Sequence, residues 1–184
     1  PSGSSKHGRY VGIWYYKSSP MVVVWVANRI EPVPSKTTGA FTISENGDLQ
    51  VLDNTKKLWS AKIGGSTSFN RTVKLLDSGN LVLIEGQAGS ETIIWQSFDN
   101  PTDTFLPGMK MTAKMNLTSW KSQADPAPGN FTFLQDQDRR NQYIIENRAS
   151  PHWKSGLSGK FFHSDNNIYG NNSCHLPCYI LLAI

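Results

Sequence analysis

Three apolar segments of this 184-residue chain each carry a tryptophan at or near their end, and the tryptophans stand at nearly equal intervals. Internal repeats with a period of a few tens of residues indicate an architecture built from several copies of one structural unit. The repeat therefore constrains the fold more than composition does. The three segments are residues 22–28 with Trp25, 58–61 with Trp59 and 93–97 with Trp95.

Two further segments match between the same landmarks, residues 41–52 and 72–83. In each, strand-forming residues flank a tight turn, which reads Glu-Asn-Gly-Asp in the first and Asp-Ser-Gly-Asn in the second. Glycine and asparagine tolerate the positive φ that such hairpin turns require. Each repeat is therefore predicted to contain two strands joined by a turn, followed by a strand that ends in tryptophan.

No segment has a 3.6-residue apolar period over ten or more residues, so the predicted class is all-β with little helix. The repeats predict three antiparallel sheets related by a pseudo-threefold axis. We expect the tryptophan of each sheet to point to a shared centre, where large rings fill the gap between sheets. A β-sandwich in which the tryptophan spacing is a coincidence is the alternative.

The composition changes at residue 100, after which prolines divide the chain into short pieces. Residues 1–99 are predicted to form the repeat domain, and 100–127 a linker with one short strand. Residues 128–165 are predicted to begin a second β-module, and 166–184 to form an atypical tail. The tail contains too few apolar residues to complete a core for the second module.

The bulk properties exclude two classes of protein. The net charge of +4 is modest and basic residues are not clustered, whereas proteins that bind nucleic acids usually present a basic patch. The longest apolar run near the end, residues 179–184, is far shorter than the ~20 residues of a spanning helix. We therefore predict neither nucleic-acid binding nor a membrane span, and no leader peptide is visible at the start.

The sequence contains four Asn-x-Ser/Thr triplets, the acceptor sites for N-glycosylation. Four in so short a chain favour a secreted protein, and glycans that are used must lie on the surface. An extracellular location is therefore predicted. The glycosylation candidates are Asn70, Asn116, Asn130 and Asn171.

No catalytic or metal-binding pattern emerges. The four histidines share no ligand spacing, and a zinc site built on Cys174, His175 and Cys178 would lack a fourth ligand. Two cysteines in a secreted chain more often form disulfides. We therefore predict no catalytic residue, no metal and no cofactor, and place no function on these cysteines.

Four ordered segments carry a resemblance to a known family: residues 9–15 (RYVGIWY), 24–29 (VWVANR), 77–83 (DSGNLVL) and 95–110 (WQSFDNPTDTFLPGMK). Together they resemble the bulb-type (G-type) lectin region of plant S-locus receptor-like kinases and S-locus glycoproteins. Residues 118–122, 125–131 and 152–156 continue the resemblance into the S-locus glycoprotein domain. The similarity covers about residues 1–165.

The resemblance implies a β-prism of three four-stranded sheets over residues 1–99 and a partial S-locus glycoprotein domain over 128–165. In that family the region senses extracellular ligands and precedes EGF-like and PAN modules, a membrane helix and a Ser/Thr kinase. The kinase motifs are absent from this sequence. The first lectin strands are expected to be missing. We expect the resulting unpaired sheet edge to promote self-association.

Mannose-binding members carry Gln-x-Asp-x-Asn-x-Val-x-Tyr on a strand of each sheet, where alternate residues share one face. In the third repeat the corresponding positions are 76, 78, 80, 82 and 84, and only Asn80 and Val82 fit. The second repeat, over 44–52, keeps polar residues in the wrong order, and the first, aligned over 5–13, keeps only Val11. The candidate sugar-binding residues are Asn80, Val82, Ser78, Asp48 and Asn46.

Loss of most polar partners should remove specific sugar affinity, because each good hydrogen bond contributes on the order of 1 kcal/mol net. Asn80 is expected to serve its turn instead. The sequence therefore predicts a non-catalytic ectodomain fragment of an S-locus lectin receptor-like kinase, acting in self/pollen or defence recognition. Its ligand is a glycan, peptide or small molecule. The alternative is a soluble mannose-binding lectin with a degenerate sugar site.

Overall fold

The computed structural model describes residues 8–63, 70–136 and 142–155, together with the backbone of 178–182. Within these ranges the helical structure is one short 3₁₀ turn, Ser97–Asp99, so the all-β prediction is confirmed. The strands are β1 (Val11–Tyr15), β2 (Val23–Val26), β3 (Gly39–Ile43), β4 (Leu49–Asp53), β5 (Lys56–Ser60), β6 (Arg71–Leu75), β7 (Leu81–Glu85), β8 (Thr92–Gln96), β9 (Asn116–Ser122), β10 (Asp125–Gln135), β11 (Tyr143–Asn147), β12 (Ser150–Lys154) and β13 (Cys178–Leu182).

The strands form four antiparallel sheets. Three of them follow the sequence repeat, with the orders β13-β1-β2, β3-β4-β5 and β6-β7-β8. Each has three strands in the described part of the chain, where the resemblance implied four. The fourth sheet has the order β12-β11-β10-β9.

The pseudo-threefold relation extends to the register of the strands. The middle strand of each repeat sheet places one apolar residue opposite the tryptophan, and a register shift follows immediately. A bulge at one fixed place changes the local twist and re-aims the neighbouring side chains. The three equivalent pairs are Ile13 with Trp25, Val51 with Trp59 and Leu83 with Trp95.

The predicted hairpin turns are present and share one geometry. The amide of Gly47 donates to the carbonyl of Ser44 at 2.8 Å, and that of Gly79 donates to Leu76 at 2.9 Å. Both glycines have positive φ, +75° and +83°, which residues with a Cβ adopt at a cost. These two glycines therefore fix the turns that begin β4 and β7.

The tryptophans meet at the centre of the three sheets, as the repeat predicted. The ring centroids of Trp25, Trp59 and Trp95 lie 5.8 to 6.1 Å apart, and all three pairs are edge-to-face. Aromatic rings favour this arrangement because a positive edge meets a negative face. Around the rings packs an apolar core of buried strand residues: Val11, Ile13, Val24, Leu49, Val51, Leu81 and Leu83.

The fourth sheet begins at Asn116, inside the segment predicted as a linker. Arg29, which follows β2, joins this sheet to the repeat domain. Its guanidinium donates to the carbonyl oxygens of Pro126 at 2.5 Å, Thr118 at 3.0 Å and Ser119 at 2.9 Å. The side chain is buried, and three carbonyls share its five donors. One arginine therefore bonds both strands of the β9–β10 hairpin to the prism.

The tail predicted as atypical contributes a strand to the first sheet. β13 pairs antiparallel with all five residues of β1, on the side opposite β2. The expectation of an unpaired edge on this sheet is therefore wrong for β1. The free backbone groups of an edge strand pair with any extended segment that reaches them, and residues 178–182 do so here.

Candidate functional site

Asn80 ends the turn between β6 and β7, and its side-chain amide is used inside the protein. Its nitrogen donates to Gln96 Oε1 at 2.8 Å. Its oxygen accepts from the Ser97 hydroxyl and the Phe98 amide, both at 3.2 Å. Asn80 is only 6% exposed, so its donors and acceptor bind the segment after Trp95 rather than face solvent.

The rest of the third-repeat motif is also closed to solvent along β7. Val82 is 0% exposed and Ile84 8%. Ser78 lies exposed in the turn, where its hydroxyl oxygen accepts a hydrogen bond from the backbone N–H of Asn80 at 3.4 Å. Of the three candidates on this sheet, only Ser78 is therefore accessible, and a hydroxyl alone cannot orient a saccharide.

The second sheet presents its equivalent positions differently. Asp48 bonds the Ser60 hydroxyl and accepts the Ile63 amide at 3.3 Å. Asn46 is exposed in the turn, and Gln50 is partly exposed on the same strand face as Asp48. Polar groups at alternate positions therefore remain accessible here, unlike on β7.

Asp48 and Asn80 occupy the same place in their repeats. Each follows the turn glycine, and each bonds the residue directly after the tryptophan, Ser60 or Gln96. The two side chains thus connect a hairpin turn to the neighbouring strand. The sequence motif that resembles sugar ligands coincides here with a structural connection within each sheet.

The alignment of residues 5–13 with the sugar-binding motif is wrong by one residue. Strand pairing sets Ile13 equivalent to Val51 and Leu83, so Gly12 corresponds to Gln50 and Val82. Val11 and Ile13 belong to the core, whereas the alignment over 5–13 put them on the sugar-binding face. A shift of one residue along a strand exchanges its two faces. Residues 5 and 7 of that alignment lie outside the described residues.

Arg71 on β6 covers the turn of the second sheet, a role that the sequence did not reveal. Its Nη1 donates to the carbonyl of Gly47 at 2.5 Å, and its Nε bonds Glu85 Oε1 at 2.9 Å. A Cβ on Gly47 would lie 2.3 Å from Nη1. The absence of a side chain at Gly47 therefore lets the arginine reach the backbone next to Asn46.

A cleft of about 580 Å³ opens beside the tryptophan centre. Trp59 and Leu58 supply apolar lining, and the exposed Lys57 and Lys62 also line the cleft. Residues 100–102 also line the cleft, and the Asn100 carbonyl accepts the Trp25 indole N–H at 2.9 Å. Apolar walls with a few charged groups are typical of small-molecule sites.

Two ionisable groups at the junction with the fourth sheet are shifted. Burial raises the pKa of Tyr10, and the nearby Asp125 carboxylate raises it further. Burial lowers the pKa of Arg29, an effect that the Asp103 carboxylate opposes. Arginine remains charged at any physiological pH. Burial at this junction therefore shifts the pKa of both groups, upward for the Tyr10 phenol and downward for the Arg29 guanidinium.

Three of the four glycosylation candidates, Asn70, Asn116 and Asn130, are exposed, and Asn171 lies outside the described residues. In the part of the chain that the structure describes, no three His, Cys, Asp or Glu residues converge on a possible metal position. Cys174 and His175 fall outside that part. No helix among the described residues has the length and hydropathy to cross a bilayer.

Comparison with known proteins places these features in a family. The family model described as D-mannose binding lectin matches residues 22–124. A G-type lectin S-receptor-like serine/threonine-protein kinase of Arabidopsis thaliana is 50% identical over 171 residues, which cover 92% of this chain. A second such Arabidopsis kinase is 39% identical over 171 residues, covering 86% of this chain. The aligned part is 20% of each kinase, so the chain spans about a fifth of their length.

Among solved structures, a monomeric mannose-binding lectin from Gastrodia elata is 19% identical, covering 65% of this chain and 80% of that one. The TM-score is 0.25, too low to bear on the fold. The family match covers more than half of the chain, and the kinase relatives align with nearly all of it. The chain therefore belongs to the D-mannose binding (bulb-type) lectin family and corresponds to the lectin ectodomain region of G-type lectin S-receptor-like kinases.

Proposed function

We propose that this chain is a non-catalytic recognition module that binds an extracellular ligand at the outer face of the plasma membrane. The support is its 50% identity to a G-type lectin receptor-like kinase, confined to a fifth of that protein. A lectin region joined to a kinase suits cell-surface signalling in self/pollen or defence recognition. The partner class is a glycan, peptide or small molecule.

The observation that carries the ligand argument is the internal use of Asn80. Both polar atoms of its amide are bonded within the protein, and Val82 beside it is not exposed. Opening this face to a sugar would break three hydrogen bonds, at about 1 kcal/mol net each. Mannose recognition on the third sheet is therefore disfavoured, and we place the ligand in the cleft beside Trp59.

The cleft favours a ligand with an apolar body and an anionic group, because aromatic side chains and two lysines, Lys57 and Lys62, line it. Anilinonaphthalene sulfonate has this chemistry and reports binding by energy transfer from tryptophan. We expect saturable binding that weakens in the Lys57→Ala/Lys62→Ala double variant and persists in Lys110→Ala, whose lysine is exposed and does not line the cleft. Equal binding to all three proteins would contradict this location.

A second candidate function, mannose binding, is favoured by the second sheet. Asn46, in the turn, and Gln50, on the strand face of Asp48, both remain accessible to solvent. Side-chain amides suit saccharides because each hydroxyl both donates and accepts. This candidate corresponds to the soluble lectin with a degenerate site.

Titration of methyl α-mannoside, followed by saturation-transfer NMR, separates the two candidates. We expect no saturable binding below the millimolar range for the parent chain. Binding that is lost in Asn46→Ala and Gln50→Ala would support the second candidate. Binding that is lost in Asn80→Ala and kept in Asn46→Ala would show that the third sheet is a sugar site, against our argument.

The extracellular location is tested by glycosylation. Expression through a plant secretory pathway should attach glycans at the exposed Asn70, Asn116 and Asn130. Each Asn→Gln variant should then lower the mass by one glycan, as measured by mass spectrometry before and after enzymatic deglycosylation. Asn100→Gln is the control, because Pro101 blocks that triplet. Secreted protein that carries no glycan would contradict the use of these triplets as evidence for an extracellular location.

A further inference from the structure

The indole N–H groups of the three central tryptophans are used differently. The Trp25 Nε1 donates to the Asn100 carbonyl oxygen at 2.9 Å. Among the described residues, neither the Trp59 Nε1 nor the Trp95 Nε1 has an acceptor, and neither is a buried polar atom. Both nitrogens can therefore be reached by solvent and are free to donate. Strand pairing places the three tryptophans at equivalent positions, so the difference lies in what surrounds each N–H.

The cleft beside these rings is where the two free donors meet solvent. All three tryptophans line it, and Trp95 is only 8% exposed in total. The Trp95 ring packs edge-to-face against Trp25 and Trp59, with centroids 6.1 and 6.0 Å away. An indole has one N–H and no acceptor. A ligand that covers this wall must therefore supply an acceptor, because an N–H that loses water without a new partner costs free energy.

The contact between Trp25 and Asn100 shows the kind of group that these donors bind. Its acceptor is a carbonyl oxygen from residues 100–102, a segment that lines the cleft. The chain thus supplies an oxygen to one of three equivalent donors. An oxygen of a bound ligand can take the same place beside each of the other two.

The charge of the cleft decides between a neutral acceptor and an anion. Lys57 and Lys62 line it, and its described lining contains no Asp or Glu. An anionic acceptor bonds an N–H roughly twice as strongly as a neutral one. A carboxylate is a small anion with two accepting oxygens, one for each donor. Leu58 and Ile30, the latter 85% exposed, line the same cleft and can contact the apolar part of a ligand.

We propose that Trp59 and Trp95 are the specificity-determining donors of the cleft, and that their indole N–H groups bind the carboxylate of a ligand with an apolar body. The site is the cleft of the proposed function, on which the inference rests. The two lysines attract the anion without fixing its orientation, because an ammonium on a flexible stem acts as a point charge. Asn100 already uses the third donor, so Trp25 contributes its ring and not its N–H.

Octanoate tests the donors, because it combines an apolar body with a carboxylate, and octanol is the neutral probe of the same length. The indole N–H resonances of the isotope-labelled full chain are assigned with Trp→Phe variants. Octanoate should move the Trp59 and Trp95 indole protons downfield, since a hydrogen bond to an anion deshields them. The Trp25 proton should stay in place, because its N–H is already bonded. Octanol should bind about 10-fold more weakly.

Two variants separate the N–H from the ring. Trp59→Phe keeps an aromatic ring in the cleft and removes the donor, so octanoate affinity should fall about 10-fold while octanol affinity changes less. Trp153→Phe should match the parent, because that ring is 45% exposed on the four-stranded sheet and does not line the cleft. Circular dichroism shows whether each variant is folded. If Trp59→Phe does not fold, the indole titration of the parent decides.

The proposal is overturned if octanoate does not bind, or binds without moving the Trp59 and Trp95 resonances. It is equally overturned if folded Trp59→Phe keeps the octanoate affinity of the parent, or if octanol binds as tightly as octanoate. Binding of anilinonaphthalene sulfonate that depends on the two lysines would then still support the cleft, so the proposed function would stand without these donors. If neither anion shows saturable binding, the cleft location and the donors fail together.

Discussion

The three-sheet prism and the four-stranded sheet beside it are both antiparallel, yet they are stabilised in different ways. The prism surrounds three tryptophans with strand residues that are almost wholly buried. On the described strands of the four-stranded sheet, Ile144 is the one large aliphatic side chain that is buried, while Phe131 and Trp153 are 41% and 45% exposed.

The four-stranded sheet therefore has little core of its own. It depends on strand pairing, on the stacking of Phe133 against Tyr143 at 5.3 Å, and on the Arg29 contacts with the prism. Substitutions that change side-chain volume at the centre of the prism should therefore destabilise it. The four-stranded sheet should lose order when the Arg29 contacts at the junction are removed.

The largest effect is expected for Trp95→Ala, which removes one of three interlocked rings. Truncation of a buried tryptophan typically costs about 3–5 kcal/mol, since it leaves a cavity as well as losing burial. Chemical denaturation followed by circular dichroism measures the loss. Trp153→Ala is the matched control, because that ring is 45% exposed, and its cost should be below ~1 kcal/mol. Similar costs at the two positions would contradict the contrast between the regions.

Arg29→Met should have the next largest effect, and the loss of order should be confined to the four-stranded sheet. It leaves the carbonyls of Thr118, Ser119 and Pro126 without their donor. The Pro126 hydrogen bond is buried, so its loss should cost about 1–3 kcal/mol, and the two partly buried carbonyls should add less because water can reach them. Hydrogen exchange should rise in the β9–β10 hairpin while the β4 and β7 amides stay protected. Arg148→Met, which changes an exposed arginine in the β11–β12 turn of the four-stranded sheet, should leave both unchanged. Uniform loss of protection would show that the junction also supports the prism.

The sequence predicted the prism well because its determinants are local and repeated. Tryptophan spacing and the Asn-Gly and Ser-Gly turns specify strands, turns and the shared centre, and Gly47 and Gly79 adopt the positive φ that was anticipated. Low helix content followed from the missing 3.6-residue period. These signals need no knowledge of distant contacts.

The junction and the first-sheet edge could not be predicted in this way. Arg29 bonds carbonyls about 90 residues away, and no local pattern marks a side chain that binds distant backbone. β13 pairs with β1 through backbone groups, which every sequence has. The candidate sugar residues left two interpretations open in the sequence, because the polar residue after each turn glycine suits an internal hydrogen bond as well as a sugar.

Asn80→Ala probes the polar connection within the prism. It leaves the Ser97 hydroxyl and the Phe98 amide without an acceptor, at about 1–3 kcal/mol in unfolding free energy. Asn46→Ala, at the exposed turn position of the second sheet, should change stability by less than ~0.5 kcal/mol. Thermal unfolding of both variants measures the difference. An Asn80→Ala protein as stable as the parent would mean that these hydrogen bonds do not stabilise the turn.

The smallest effect concerns pH at the junction, where the pKa of Tyr10 is raised by burial and then by Asp125. The folded state therefore favours the neutral phenol, and its contribution is complete below pH 10.0, the ordinary tyrosine value. It is lost as the pH rises through the higher folded pKa, because the unfolded chain releases its proton first. Unfolding free energies between pH 9 and 12 should thus decline more steeply for the parent than for Tyr10→Phe, while Tyr16→Phe, which keeps Tyr10, should retain the parent's decline. If the unfolding free energy of Tyr10→Phe declines with pH as steeply as that of the parent, ionisation of Tyr10 does not destabilise the junction. The contact between the two regions then depends on Arg29 and not on the protonation of Tyr10.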